Sequence, residues 1–211
     1  MQQFSLKTSI FEKISKIVPL ITLFLVPIFF LPLSSEFYSF NKLALIVVST
    51  IILLILWGIK TIKGEKLEII QSPIDKWLIA LLGTLILSTV FSVSKMDSIY
   101  GQQGRWLGLG AFVVMLVYYY LSTPAFRDSK IMKISTYLLV GATTVSSLVS
   151  ILSYYRIFIS SSPFVRFQNF SLTGSIKDAV LVAALSFVAS IYLSLREKNT
   201  LSKVLLMAAT A

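Results

Sequence analysis

Leu43-Ala44-Leu45-Ile46-Val47-Val48-Ser49-Thr50-Ile51-Ile52-Leu53-Leu54-Ile55-Leu56-Trp57-Gly58-Ile59 carries no charge over its whole length. At about 1.5 Å of rise per residue the run spans roughly 25 Å as a helix, close to the ~30 Å hydrocarbon core of a bilayer. Five further uncharged stretches of similar length flank it, at 17–33, 77–93, 106–121, 134–155 and 179–195. All nine acidic residues of the chain fall outside the six. Backbone amides in lipid must pair within their own segment, and no run alternates strictly, so the pattern predicts helices and not a barrel. The fold expected is an all-α, polytopic transmembrane bundle of six spans plus the start of a seventh.

Composition agrees with that reading. A mean hydropathy of +0.85 and 56% hydrophobic residues are far from the composition of a soluble domain. The net charge of +10 belongs to the loops. With a cytoplasmic N-terminus, the inner segments hold Lys7, Lys13, Lys16, Lys60, Lys63, Lys66, Lys76, Arg127, Lys130, Lys133, Arg196, Lys198 and Lys203, thirteen of the nineteen basic residues. Lys42, Lys95, Arg105, Arg156, Arg166 and Lys177 remain outside. That bias follows the positive-inside rule and places the protein, multi-pass, in a cytoplasmic (inner) membrane with the lipid bilayer as its solvent. No basic face is interleaved with aromatics on a soluble fold, so nucleic acid is not an expected partner. The chain has no cysteine and no histidine, which excludes disulfides, thiolate metal sites and imidazole acid–base chemistry within it. No metal, cofactor or catalytic residue is expected here.

Two segments make up the chain. Residues 1–16 set Phe4, Leu6, Ile10, Phe11 and Ile14 among three lysines, compatible with an amphipathic cytoplasmic helix on the inner leaflet or with a basic tail. Residues 17–211 form one transmembrane domain. Pro19, Pro27 and Pro32 interrupt the first apolar run, and no clean cleavage site follows, so it reads as an uncleaved span with a kink or partial unwinding. In the inner loop after the second span, 67–70 reads as a short extended piece. Small and hydroxylated residues recur at helical spacing in three spans: Thr84, Ser88, Ser92; Thr143, Ser147, Ser150; Ala183, Ser186, Ser190. They predict close helix packing with hydroxyls bonding across helices. Gly104 and Gly108 form a lone G-x-x-x-G, and Tyr118 to Tyr120 an interfacial belt. The run 204–211 covers about 12 Å of helix, less than half a bilayer, and reads as a seventh span cut short in a longer protein.

No carboxylate lies within a span, so the usual working group of a proton relay or cation pump is missing. The outer loop between the third and fourth spans stands out instead: Ser94-Lys95-Met96-Asp97-Ser98-Ile99-Tyr100-Gly101-Gln102-Gln103-Gly104-Arg105-Trp106-Leu107-Gly108. Its glycines permit tight turns and close ligand approach, and Arg105 stands at the mouth of the fourth span. Guanidinium is a fixed fork of donors suited to phosphate. Arg105, Arg156 and Arg166 with Gly101 are therefore candidates for holding a lipid-linked diphosphate, against the plainer reading that each arginine snorkels to headgroups.

Several strings, in order, resemble the N-terminal half of the O-antigen ligase and O-antigen polymerase-like family of polytopic membrane glycosyltransferases. They are Phe30-Leu31-Pro32-Leu33-Ser34-Ser35-Glu36, Phe40-Asn41-Lys42, Ser72-Pro73-Ile74-Asp75, Leu87-Ser88-Thr89-Val90-Phe91-Ser92, and Ser98-Ile99-Tyr100-Gly101 with Arg105 and Gly108. The resemblance implies polysaccharide biosynthesis at the cell envelope, in a bacterial inner membrane. A glycan would pass from a polyprenyl-diphosphate-linked donor to a glycan or lipid acceptor outside the cytoplasm, with Arg105 on the departing diphosphate. The chain departs from the family at 173–178, where a Gly-Asn-Pro-Asn-like turn is reduced to Gly174, and it lacks the histidine and large outer loop of the family's later half. These residues alone are therefore expected to be inactive. Two rival readings are half of a transporter or lipid flippase, which calls for a repeated partner half and mid-membrane charges, and a scaffold subunit without chemistry.

Overall fold

The computed structural model describes residues 2–31, 38–63, 72–102, 105–157 and 170–196. Arg166, Gly104, the 67–70 piece and the apolar run from residue 204 lie outside the described residues. Those described form helices joined by turns, with no strand among them: α1 (Gln2–Ile28), α2 (Ser39–Ile62), α3 (Asp75–Val90), α4 (Lys95–Tyr100), α5 (Leu109–Phe126), α6 (Ser129–Tyr154) and α7 (Ile176–Arg196).

Four of these, α2, α5, α6 and α7, are long and apolar enough to cross a membrane, and only 17 to 33% of their most apolar windows is buried within the protein. Water would penalise so many outward Leu, Ile and Val side chains, whereas hydrocarbon does not. The chain is an all-helical membrane protein. The four correspond to the second, fourth, fifth and sixth runs read from the sequence. The first run lies on α1, which continues as helix through Pro19 and stops one residue after Pro27. The third run lies on α3, where helix ends at Val90 instead of Val93. The Phe91 N–H bonds the Leu87 carbonyl and the Ser92 N–H that of Thr89, tightening the last turn.

The residues form two compact units, Met1–Pro19 with Leu43–Asp128, and Leu20–Lys42 with Ser129–Ala211. In the first, α3, α4 and α5 pack on one another. The Lys63 ammonium lies 4.5 Å from the centre of the Phe11 ring. In the second, α6 and α7 make the most extensive helix pair. Val140 early in α6 meets Leu193 late in α7, with Tyr137 against them. Of the residues the spacing singled out, Thr143 on α6 and Ser186 and Ser190 on α7 are buried, while Ser147, Ser150 and Ala183 are half-buried; Ala142, Ser146 and Ser194 are buried beside them. The hydroxyls do not serve as expected. Thr143, Ser186 and Ser194 each donate to the carbonyl three residues back on their own helix, at 2.8–2.9 Å. A hydroxyl has one proton, and a bond to the local carbonyl takes it from a neighbouring helix. The stripe on α3 differs more: that helix has no buried residue, and Thr84 and Ser88 are exposed.

At one end of the second unit, Phe30, Tyr38 and Phe170 cluster with ring centres 5.1–6.3 Å apart. Lys42 donates to the carbonyls of Leu172 (3.0 Å) and Thr173 (2.7 Å), and Asn41 to that of Leu31 (2.9 Å). The Phe40-Asn41-Lys42 string thus ties the start of α2 to two neighbouring turns. Gly174 has φ +114°, and a Cβ there would press to 3.2 Å from Tyr38, which gives this glycine two reasons to be one.

Candidate functional site

The loop after α3 contains a helix that hydrophobic periodicity did not reveal. Ser94 is extended (φ −111°, ψ 96°), its hydroxyl donates to Asp97 Oδ2 at 2.7 Å, and α4 follows for six residues. Ser98 returns a hydroxyl to the Ser94 carbonyl (3.0 Å) and meets the Ser92 hydroxyl at 2.6 Å. Two other helices open beside a serine and an aspartate three residues apart, with different bonds. Ser175 donates to Asp178 Oδ2 at 2.8 Å and accepts the Asp178 N–H before α7, while the Ser72 N–H donates to Asp75 Oδ2 at 2.7 Å before α3. Each is a Ser-x-x-Asp pair that sets a negative charge near the positive end of the helix dipole, and at α7 the Ser175 hydroxyl also caps the Asp178 amide.

Gly101 closes α4 at φ +92°, donating to the Asp97 carbonyl at 2.8 Å. A Cβ on Gly101 would lie 2.6 Å from the Leu107 nitrogen and 2.8 Å from Trp106 Cα, and one on Gly108 would overlap the Ile99 carbonyl and the Gly101 nitrogen. Two backbones therefore touch at paired glycines. These glycines serve the close crossing of the chain itself, and both also line the cleft described next. Between the glycines, the Arg105 and Trp106 amides both bond the Gln102 carbonyl, at 2.9 and 3.2 Å, and Trp106 takes φ 45°. A bulky residue in that region persists only where its surroundings hold it.

The turn so built roofs a cleft of about 370 Å³ between the ends of α3, α4 and α5. Ser88 and Thr89 come from α3, Asp97 and Ser98 from α4, Gly101, Gln102 and Arg105 from the turn, and Leu109 and Phe112 from α5. Arg105 is exposed, and among the described residues no acidic side chain pairs with it. One cation, hydroxyls and an amide converge with a single carboxylate, Asp97, which already accepts from Ser94. This set can hold an anionic oxygen group through charge-assisted bonds. Leu85 and Phe112 at the floor also line a second, apolar cavity of about 320 Å³ that continues along α3 and α5 to Ile74 and Tyr119.

The structure thus brings Arg105 and Gly101 to one cleft. Arg156 belongs to the other unit, where its left-handed backbone (φ 62°) closes α6. The Ile157 N–H reaches the Leu152 carbonyl at 2.9 Å and the Arg156 N–H that of Ser153 at 3.0 Å, a Schellman motif with arginine where glycine is usual. Sequence reading missed Ser88, Thr89, Asp97, Ser98 and Gln102 as members of the cleft; the Ser-x-x-Asp spacing at 94–97 was the available signal. In the second unit, burial pushes the Tyr38 phenol above its ordinary value, so it stays a neutral hydroxyl. No protein-family model matches the chain, and no curated protein or solved structure proved similar to it.

Proposed function

We propose that the chain is the membrane portion of a glycan ligase or polymerase, and that the α3–α4–α5 cleft binds the diphosphate of its lipid-linked donor. The acceptor hydroxyl oxygen attacks the anomeric carbon, the bond from that carbon to the phosphate oxygen breaks, and the lipid diphosphate leaves with the electron pair. Arg105 binds the diphosphate and offsets its growing charge. The acceptor's proton passes to the departing diphosphate or to water at the membrane surface. The observation that carries the reading is Arg105, with no acidic partner among the described residues, held by a two-glycine crossing over a cleft that is polar above and apolar below. The distribution of lysine and arginine supports six crossings with the N-terminus inside, which puts this cleft at the outer face of an inner membrane.

Arg105→Lys tests the reading, because it keeps the charge and loses the fork. In cells making the lipid-linked glycan and carrying a transfer-competent protein that contains this chain, the variant should insert normally and lose about 1–3 kcal/mol of charge-assisted bonding, roughly a tenfold to hundredfold fall in glycan transfer. Transfer at the parental rate by both Arg105→Lys and Arg105→Ala would make Arg105 an interface anchor and end the proposal.

A further inference from the structure

We infer that the N-terminal end of α1, clasped to the end of α2, binds one anionic phospholipid, with the headgroup between Lys13 and Lys63 and the start of an acyl chain on Ile14 and Ile17. The site is independent of the glycan reading. With α1 as a crossing, its 27 residues reach about 40 Å, longer than the ~30 Å hydrocarbon core, so its first turns stand in the headgroup layer. There the Phe11 ring takes the Lys63 ammonium on its face at 4.5 Å, and the Lys63 N–H bonds the Ile59 carbonyl at 3.2 Å, which extends the last turn of α2 to the lysine. Trp57, exposed on α2 less than two turns earlier, is the side chain expected at that depth.

Helical spacing sorts the side chains around α1. Ile10, Ile14 and Ile17 fall within roughly 60° of arc at about 100° per residue, and all three are exposed. Lys13, also exposed, lies about 60° from Ile10 on one side of this strip, and Phe11 with its Lys63 about 100° on the other. Ile10, Phe11 and Lys13 share one level, within about 5 Å along the axis. Two ammonium groups therefore flank the strip at its outer end, and two isoleucines continue it toward the hydrocarbon. Glu12, the only acidic residue of α1, is turned about 160° from Ile10 and pairs with Lys16 at 3.1 Å. That pair balances itself away from the strip and leaves the flanking lysines their positive field.

Charge selects the occupant. A phosphate between two ammonium groups gains charge-assisted bonds, whereas a headgroup with its own choline or ethanolamine would set a third cation beside them. An anionic glycerophospholipid brings the phosphate without that cation, and its acyl chain covers the isoleucines that a free phosphate would leave bare. With the orientation proposed above, this end of α1 meets the cytoplasmic leaflet.

The test places the full chain in nanodiscs of phosphatidylcholine with a small mole fraction of photoreactive phosphatidylglycerol. In the parent the label should fall on residues 10–17, and unlabelled phosphatidylglycerol should displace it several-fold more readily than phosphatidylethanolamine at the same mole fraction, a readout that needs no variant to fold. Combining Lys13→Gln with Lys63→Gln should remove that preference, and combining Lys13→Arg with Lys63→Arg should keep it. Lys16→Gln takes the same charge from the other side of the helix and should match the parent. Thermal melting confirms that each variant is folded. Labelling that falls elsewhere, equal displacement by phosphatidylethanolamine, a preference that survives both glutamines, or an equal loss in Lys16→Gln would overturn the site. Full displacement by inorganic phosphate would make it a free-anion site and overturn the lipid assignment.

Discussion

Backbone crossings at single residues decide whether this site exists. Gly101 and Gly108 are needed because their missing side chains are where another stretch of main chain lies. Gly101→Ala and Gly108→Ala should each lower stability by about 1–3 kcal/mol and abolish diphosphate binding, read by thermal melting in detergent and by titration. Gly58→Ala and Gly83→Ala are the controls. Nothing lies within 4 Å of a Cβ at either helical position, so both should melt at or above the parent temperature. Arg156 offers a contrasting case. Its left-handed backbone carries a side-chain penalty that glycine lacks, so Arg156→Gly should raise stability by about 1 kcal/mol if the residue only closes α6. A loss of glycan transfer in that variant would return Arg156 to the donor site. The sequence made arginine and glycine conspicuous here, but it could not separate these roles. A positive φ and a contact between chains seven residues apart depend on three-dimensional closure, and composition does not encode either.

Helices, by contrast, were largely legible from hydropathy, and their errors have local causes. Apolar runs located α2, α5, α6 and α7, because lipid leaves a segment no option but to satisfy its own backbone. α4 escaped because six residues carry no periodicity, and the third run was drawn three residues past the end of α3 because Phe91 and Val93 are apolar and Ser92 is uncharged, which extends a run that the backbone turns away from. Ser-x-x-Asp pairs mark the true starts of α3, α4 and α7, and three of the nine acidic residues serve there. Ser175→Ala, which strips the donor to Asp178 and the acceptor of its amide, should cost about 1 kcal/mol in a melt. Lys42 is the stronger tether. Lys42→Met leaves the carbonyls of Leu172 and Thr173 without their donor in a partly buried place, and should cost about 1–3 kcal/mol. Its charge suggested an outer loop, but its use is to bind two carbonyls.

At the scale of the whole molecule, four apolar helices with mostly outward side chains place the chain in a bilayer, and charge asymmetry proposes its orientation. The chain has no native cysteine, so single cysteines report cleanly. Cysteines at Ser9 and Ser129 should resist an impermeant thiol reagent in intact cells, and cysteines at Ser39 and Ser98 should react; the reverse pattern would invert the topology and move the cleft to the cytoplasm. One labelling measurement reaches both the orientation and the site. Gln102 is exposed and lines the cleft beside Arg105, so Gln102→Cys should react from outside the cell membrane. Its labelling rate should then fall at least several-fold when a polyprenyl diphosphate is added to membranes, and recover when Arg105→Ala is combined with it. Fast labelling that a polyprenyl diphosphate leaves unchanged, or protection that survives the loss of Arg105, would contradict the account.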